Sequence, residues 1–400
     1  MKKAFRSLTG IFLTVILLLG SMLPCYAEAE LSAIDSSGNV TVFGIEEGSL
    51  DLPCKSAILM EEKTGTVLYF QNADEALPPA SVTKVMTLLL IMEALDSGTV
   101  HLDSTVTVSA NAASMGGSQV FLKEGEQMAL EELLKSVVIA SANDAAVALA
   151  EYIGGSVGAF VEKMNAKAKL LGMTSTTFEN VTGLDDTAEN HVTSAKDIAL
   201  MSRALISYPD ILKYSSVWMD TIRNGEFGLT NTNRLVRYYQ GCTGLKTGST
   251  AKAGFCVSAT AKRDGLSLIC VIMGAESRDI RNASASQLLD WGFANYALFE
   301  SSAEKLLPLP MKGGTKNACE ISYPQFCAVV EKADLPSVKK TAVLPQCVAA
   351  PVKEGDTVGT VEFSIENKTI GSVPITSDET VKKISFFEIL ERIFVKLMLL

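Results

Sequence analysis

Residues 78–92 read PPASVTKVMTLLLIM, and the rest of the chain is organised around this stretch. The two prolines end an extended segment, because the residue before a proline is pushed out of the helical region. A helical pattern follows, with Ser81 and Lys84 in its first turn on one face, about 5–6 Å apart at Cβ. The apolar run behind them predicts a buried helix. A hydroxyl, an amine that can accept its proton and free backbone N–H groups therefore lie together.

The composition is that of a globular chain with room for one large domain and a smaller one. Of 400 residues, 48% are hydrophobic and 20% charged,. The net charge of −10, with no basic cluster beyond the extreme N-terminus, argues against nucleic-acid binding,. The eight cysteines include no Cys-x-x-Cys pair, and Cys256 and Cys270 lie in apolar runs. They are expected to be core residues, and no metal or cofactor is implied.

The first 27 residues have the pattern of a secretory signal. Three basic residues precede the apolar run from Ile11 to Leu19, and small residues occupy the cleavage positions before Glu28. The sequence therefore predicts export, with an uncleaved N-terminal anchor as the alternative.

The last twenty residues predict an amphipathic helix. One arc of the helical wheel carries polar side chains, and most of the remaining arc is apolar; the polar arc is Lys382, Ser385, Glu388, Arg392 and Lys396. A membrane-spanning helix tolerates few such charges, so this segment is expected to lie in the membrane interface. Packing against the domain or in a dimer is the alternative.

Between the two ends, an apolar hairpin, a series of helices, further strands and a closing helix predict an α/β (α+β) fold. A polar loop is expected at 111–118, and the closing helix at 283–296. Strand-like alternation after about residue 307 predicts a small β domain. The expected organisation is a signal peptide at 1–27, an N-terminal arm at 28–50, a catalytic domain at 51–300, a β-rich domain at 301–379 and an anchor helix at 380–400.

Three motifs could carry the chemistry: Ser81-x-x-Lys84, Ser141-x-Asn143 and Lys246-Thr247-Gly248. The second lies at a helix end and the third on a predicted strand, where glycine permits close backbone approach by a ligand. Penicillin-binding proteins and class A β-lactamases share this set of motifs. The chain has only two histidines, so a Ser-His-Asp triad is disfavoured,.

From residue 57 to about residue 296 the chain resembles the serine-type D-alanyl-D-alanine carboxypeptidases, the low-molecular-weight penicillin-binding proteins. The resemblance is carried by the three motifs and by residues 80–84, 141–144, 182–185 and 290–293. It implies a β-lactamase/transpeptidase-like domain, in which an antiparallel sheet is flanked by helices, followed by a β-rich domain and an amphipathic anchor. It also implies that the exported protein is located on the outer face of the bacterial cytoplasmic membrane.

The resemblance assigns catalytic roles to Ser81 as nucleophile, Lys84 as base, Ser141 as proton relay and Asn143 as a substrate contact. It assigns substrate binding to a second set, namely Lys246, Thr247, Gly248, Ser249 and Arg281. The backbone N–H groups of Ser81 and Ser249 would form the oxyanion hole. Relatives often have histidine where this chain has Ser249, and Arg278 is the alternative to Arg281 as the arginine that binds the substrate carboxylate.

The expected activity is removal of the terminal D-alanine from peptidoglycan pentapeptide stems, with β-lactam antibiotics as covalent inhibitors. A β-lactamase, a D,D-endopeptidase or transpeptidase, and a non-catalytic penicillin-binding module remain alternatives. The class A deacylating pattern, a glutamate with an asparagine four residues later, does not occur in the chain.

Overall fold

The structure is a computed structural model that describes residues 46–47, 50–185, 188–366 and 368–398. The predicted signal peptide and most of the predicted N-terminal arm lie outside the described residues. The predicted domain boundaries stay predictions.

A six-stranded sheet is the framework of the first part of the chain. Its strands are β1 (Glu46–Glu47), β2 (Ser56–Glu61), β3 (Val67–Gln71), β8 (Cys242–Thr250), β9 (Gly254–Arg263) and β10 (Leu266–Ala275). They lie in the order β1-β3-β2-β10-β9-β8, and all pairings are antiparallel except that of the short β1 with β3. The predicted hairpin is therefore β2–β3. Because β10 is packed on both faces, its sequence is a nearly continuous apolar run, and Cys270 is buried in it.

Helices cover both faces of this sheet. The α-helices of this region are Lys84–Asp96, Ala110–Ala113, Leu130–Ile139, Asn143–Gly154, Val157–Leu170, Ala195–Ile206, Leu212–Ser215, Leu235–Tyr238 and Arg278–Asn295. Helix Lys84–Asp96, called the central helix below, is buried on nearly every side, as its apolar sequence predicts. Two small hairpins complete the region: β4 (Thr105–Thr107) with β5 (Gln127–Ala129), and β6 (Met219–Ile222) with β7 (Phe227–Thr230).

Three local expectations differ from the structure. Ser81 lies in a 3-10 turn, Ala80–Thr83, and the α-helix begins only at Lys84. The expected polar loop begins instead within a short helix, Ala110–Ala113. The closing helix begins at Arg278, five residues earlier than expected, because the Ser277 side chain accepts a hydrogen bond from the Ile280 N–H and caps it,.

The β-rich region after residue 296 has its own core, which contains the stacked rings of Phe326 and Phe363. Its strands are β11 (Tyr296–Ser301), β12 (Glu304–Lys305), β13 (Leu309–Lys312), β14 (Ala318–Cys319), β15 (Ile321–Tyr323), β16 (Phe326–Glu331), β17 (Val338–Val343), β18 (Val348–Ala349), β19 (Thr357–Ile365) and β20 (Lys368–Ser377). The largest sheet has the order β12-β15-β20-β19-β17. The predicted C-terminal β domain is confirmed.

The C-terminal helix, Phe386–Met398, is preceded by a reciprocal cap. The Ser385 hydroxyl accepts from the Glu388 N–H, and the Glu388 carboxylate accepts from the Ser385 N–H,. Its large apolar side chains are exposed. Within the described ranges, no single helix is both long and apolar enough to cross a membrane. Two consecutive helices, Asn143–Gly154 and Val157–Leu170, are long and apolar enough when taken together, but they meet at an angle of 84°.

Candidate active site

The 3-10 turn brings Ser81 and Lys84 together at the start of the central helix. A 3-10 turn has three residues per turn, so side chains three apart lie directly above one another. Lys84 Nζ is 2.9 Å from Ser81 Oγ. Ser81 is partly exposed, whereas Lys84 is completely buried. A hydroxyl that substrate can reach therefore contacts an amine that water cannot.

Burial and a neighbouring positive charge favour a neutral amine at Lys84, although oxygen atoms that accept hydrogen bonds surround it,. Its Nζ is 2.6 Å from Asn143 Oδ1 and 2.9 Å from the Thr182 carbonyl oxygen, and both atoms can only accept hydrogen bonds,. Burial lowers the pKa of Lys84 well below 10.5, and the nearby positive charge of Lys246 lowers it further, while Asp144 opposes the shift. A neutral amine has two N–H bonds, which the two oxygens accept. Its lone pair is then left to face the Ser81 hydroxyl.

Asn143 is held by contacts on both sides of its amide. Its Nδ2 donates to the Gly116 carbonyl at 2.7 Å, while Oδ1 accepts from Lys84. Asn143 begins its helix after a short link from helix Leu130–Ile139, and in this link Ser141 has a positive φ of 62°. Asn143 is thus a positioning group for Lys84. The second N–H of Nδ2 is left for the predicted substrate contact, which stays a prediction.

Strand β8 runs directly beside the Ser81 turn, and Gly248 makes that approach possible. A Cβ at this position would lie 2.7 Å from the Ser81 backbone nitrogen and 2.8 Å from that of Val82. The close neighbour of this glycine is therefore the backbone of Ser81 and Val82, whereas the sequence suggested a ligand. On the same strand, the Thr247 hydroxyl donates to Thr232 Oγ1 at 2.8 Å.

Lys246 and Arg281 are two buried cations that form no ion pair with any described carboxylate. Arg281 donates to the Asn282 side-chain oxygen and to the Cys256 carbonyl, and Lys246 donates to the Thr247 carbonyl at 2.9 Å. Burial and the charge of Arg278 lower the pKa of Arg281 to about 10. Burial and the charge of Arg281 lower the pKa of Lys246 to about 7. Buried charge without a partner is costly, so this arrangement suits an incoming anion.

These groups surround one cleft of about 140 Å³. It is lined by Ser81, Ser118, Ser141, Thr232, Thr247, Gly248, Ser249, Arg278 and Arg281. Of the predicted site residues, Lys84 and Asn143 are buried behind Ser81, Lys246 is buried next to Thr247, and all the others line the cleft. No hydrogen bond between described residues joins Ser141 or Lys246 to the Ser81–Lys84 pair, so the predicted relay stays a prediction.

Comparison with known proteins places this site in a family. The D-alanyl-D-alanine carboxypeptidase family matches residues 44–277, and the C-terminal domain family of penicillin-binding protein 5 matches residues 305–383. The chain belongs to the D-alanyl-D-alanine carboxypeptidase family. The carboxypeptidase is 39% identical to D-alanyl-D-alanine carboxypeptidase DacF of Bacillus subtilis over 384 residues, which cover 94% of this chain and 96% of that one.

Solved structures agree with this assignment. Penicillin-binding protein 5 from Haemophilus influenzae matches with a TM-score of 0.75 and 30% identity, over 84% of the carboxypeptidase and 99% of that chain. Penicillin-binding protein D2 from Listeria monocytogenes, solved in an ampicillin-bound form, matches with a TM-score of 0.57 and 33% identity, over 61% and 99% of the two chains. The predicted family, fold class and enzyme class are confirmed: the carboxypeptidase is a serine-type hydrolase of the penicillin-binding group.

Sequence reasoning assigned no role to His191, which supports the 3-10 turn that carries Ser81. Its Nδ1 accepts from the Glu179 N–H at 3.0 Å, so Nε2 carries the proton and donates to Thr83 Oγ1 at 2.7 Å. Thr83 in turn donates to the Ala80 carbonyl at 2.8 Å. Burial lowers the pKa of His191 to about 4. This neutral imidazole holds the turn in place, and no sequence motif marks it.

The loop that supplies the Thr182 carbonyl is ordered by Asn180. Asn180 Oδ1 accepts from the N–H groups of Thr182 and Gly183, at 3.1 and 2.7 Å. Gly183 has a φ of +82°, and a Cβ there would lie 1.8 Å from the Ala80 carbonyl oxygen. The resemblance marked this stretch, but the contact between its carbonyl and Lys84 could not be read from the sequence.

Proposed function

We propose that the chain removes the terminal D-alanine from peptidoglycan pentapeptide stems through an acyl-enzyme on Ser81. The observation that carries this is the 2.9 Å contact between Lys84 Nζ and Ser81 Oγ, in a buried place where Asn143 Oδ1 and the Thr182 carbonyl accept hydrogen bonds from the same nitrogen. That geometry supports Lys84 as the base that activates Ser81.

In the proposed first step, Ser81 Oγ attacks the carbonyl between the two D-alanines, and its proton moves to Lys84. The oxyanion accepts from the backbone N–H groups of Ser81 and Ser249, donors whose loss typically costs about 10²–10³ in rate. The C–N bond then breaks, and D-alanine leaves as its amine takes a proton through Ser141. Water hydrolyses the remaining ester and restores Ser81.

The cationic side of the cleft supports recognition of a carboxylate. The terminal carboxylate of the stem would pair with Arg281 and lie near the charge of Lys246. It would also accept from the Thr247 hydroxyl, in place of the bond that this hydroxyl donates to Thr232,. Both cations are buried and form no ion pair with described carboxylates. A guanidinium suits this task, since it can bond both carboxylate oxygens.

The activity is tested by release of free D-alanine from a synthetic pentapeptide stem. The full chain should release one D-alanine per peptide, and Ser81→Ala should release none above background. A fluorescent penicillin should label the wild-type chain covalently, with a mass increase on Ser81, and should leave Ser81→Ala unlabelled. Rapid hydrolysis of penicillin without D-alanine release would support a β-lactamase instead and would contradict the proposal.

We also propose that the C-terminal helix holds the exported enzyme on the outer face of the cytoplasmic membrane. Its three phenylalanines, Phe386, Phe387 and Phe394, are exposed by 69%, 80% and 64%. Arg392 donates to the Thr315 carbonyl, which ties the helix to the β-rich region. An uncovered apolar face beside basic residues is typical of a helix in a membrane interface.

This second proposal is tested by sedimentation with vesicles that contain anionic lipid. The full chain should pellet with them, and substitution of Phe386, Phe387 and Phe394 by serine should leave it in the supernatant. Leu307→Ser is the matched control, because Leu307 is 88% exposed but lies outside the helix. Equal pelleting of all three proteins would contradict the proposal.

A further inference from the structure

Phe121 combines two features that are unusual for a large apolar residue. Its φ is +59°, in the left-handed region that side chains avoid, and its side chain is 63% exposed,. Such strained positions are over-represented at functional sites, where the surrounding structure holds them. The packing of the core does not account for the exposed ring, because its aromatic partner, Phe227, is only half-buried.

The strained backbone of Phe121 is clamped from both sides. The Asp144 carboxylate accepts from the Val120 and Leu122 N–H groups, each at 3.0 Å. Arg223 donates to the Val120 carbonyl at 2.9 Å and to the Phe121 carbonyl at 3.4 Å. Because Asp144 directly follows Asn143, this clamp fixes the position of Phe121 relative to the side chain that holds Lys84.

Two chain segments that line the active-site cleft each carry one of the two aromatic rings. Phe121 lies three residues after Ser118, and Phe227 lies five residues before Thr232; both Ser118 and Thr232 line the cleft. The two ring centroids are 6.3 Å apart, edge to face. Three extended residues span at most about 10 Å, so the backbone of Phe121 lies no more than the length of about three peptide residues from Ser118 in the cleft wall.

We propose that Phe121, backed by Phe227, forms the wall of a subsite for the stem residue that precedes the two D-alanines. This rests on the proposed D,D-carboxypeptidase activity. In an extended substrate, the Cα of that residue is about 5 Å from the attacked carbonyl, and a long side chain reaches further.

The chemistry of the wall selects the ligand class. Arg223 is paired with Glu126 at 2.8 Å, and its guanidinium lies 5.5 Å from the Phe227 ring centroid. Its charge is therefore already satisfied, and the exposed surface beside it is aromatic. The favoured partner is a side chain with a run of methylene groups, whose contact removes apolar surface from water.

The subsite is tested with two peptides, acetyl-norleucyl-D-Ala-D-Ala and acetyl-glycyl-D-Ala-D-Ala. Wild-type kcat/KM should be about tenfold higher for the norleucine peptide, within the range that methylenes contribute in an apolar pocket. Phe121→Ala should lose that preference, because its rate on the norleucine peptide falls to about the rate on the glycine peptide. Tyr152→Ala, which removes an exposed aromatic side chain from helix Asn143–Gly154, should keep the preference.

A second substitution at position 121 separates a binding role from a structural one. If Phe121 only stabilised the fold, its replacement would lower the Tm. Phe121→Gly relieves the left-handed strain, so its Tm should rise by about 2–4 °C while the norleucine preference is lost. An unchanged preference in Phe121→Ala, or an equal loss on both peptides, would overturn the subsite alone. Failure of the wild-type chain to release D-alanine from either peptide would overturn the proposed activity as well.

Discussion

Asn282 Oδ1 accepts hydrogen bonds from both Nε and Nη2 of Arg281, at 3.1 and 2.9 Å. A carboxylate in this place would bond the guanidinium equally well, but it would also neutralise it. The amide orients Arg281 and leaves its charge available, as the proposed binding of a substrate carboxylate requires.

Substitution of Asn282 by aspartate should therefore weaken substrate binding more than chemistry. KM for a D-alanine-terminated peptide is expected to rise about tenfold, corresponding to about 1.4 kcal/mol of lost binding, while kcat changes little. Steady-state kinetics on one peptide measure both constants. Asn295→Asp, at the far end of the same helix, is the matched control and should leave KM unchanged. An unchanged KM in Asn282→Asp would contradict the role given to the uncompensated charge.

Lys246→Met should move the pH dependence of acylation in a known direction. The positive charge of Lys246 lowers the pKa of Lys84, so its removal should raise that pKa. The proposed base, Lys84, can accept a proton only when it is neutral, so the acid limb of the acylation rate should move to higher pH. The rate of reaction with a chromogenic β-lactam, followed across pH in both proteins, measures this shift.

The same substitution should flatten the pH dependence of stability. The pKa of Lys246 is about 7 in the folded chain and near its ordinary value of 10.5 in the unfolded chain. Between these values the unfolded state holds one more proton, so wild-type stability gains from rising pH across this window. Lys246→Met lacks that contribution. A wild-type and a variant Tm that changed in parallel from about pH 7 to about pH 10 would contradict the assignment.

Much of the site could be predicted from the sequence because its residues lie in short motifs. The spacing of Ser81 and Lys84 placed them on one face, and that holds whether the turn is α-helical or 3-10. Lys246 and Gly248 were expected on a strand, and they are on β8. The burial of Cys256 and Cys270 follows from their apolar neighbours, and both are fully buried.

What the sequence could not predict are contacts between residues far apart in the chain. His191 reaches Thr83 across 108 positions, and Thr182 reaches Lys84 across 98. Nothing in the local pattern of either residue specifies such a partner. The 3-10 conformation of the turn also depends on residues far away in the chain, because the backbone of Ser81 is packed against Gly248 and that of Ala80 against Gly183. Local helix signals do not contain these tertiary constraints.

His191 should make the fold sensitive to mild acid. Its pKa is about 4 in the folded chain and 6.5 by its ordinary value, so the unfolded state binds the extra proton between these limits. Stability is therefore lost as pH falls from about 6.5 to about 4, by up to about 3 kcal/mol. His191→Gln does not titrate and should show a flatter Tm profile over this range. His101→Gln is the control, since His101 is exposed. Identical profiles for wild type and His191→Gln would exclude this role.

Gly183→Ala should disable the site by steric conflict with the 3-10 turn Ala80–Thr83, which carries Ser81. The added Cβ would lie 1.8 Å from the Ala80 carbonyl oxygen and 2.7 Å from Thr83 Oγ1, so either the loop or the turn must move. Gly172→Ala is a matched control, because Gly172 has a similar φ of +72° and no described atom lies within 4 Å of the position that the new methyl group would take. Gly172→Ala should lose only about 1 kcal/mol of unfolding free energy, the cost of placing an alanine at a positive φ.

Gly183→Ala should lose more stability than that, and its acylation by penicillin should fall at least about tenfold, because displacing Thr182 removes one of the two acceptors that orient Lys84. Equal unfolding free energies and unimpaired acylation in both variants would show that the loop and the turn are not coupled.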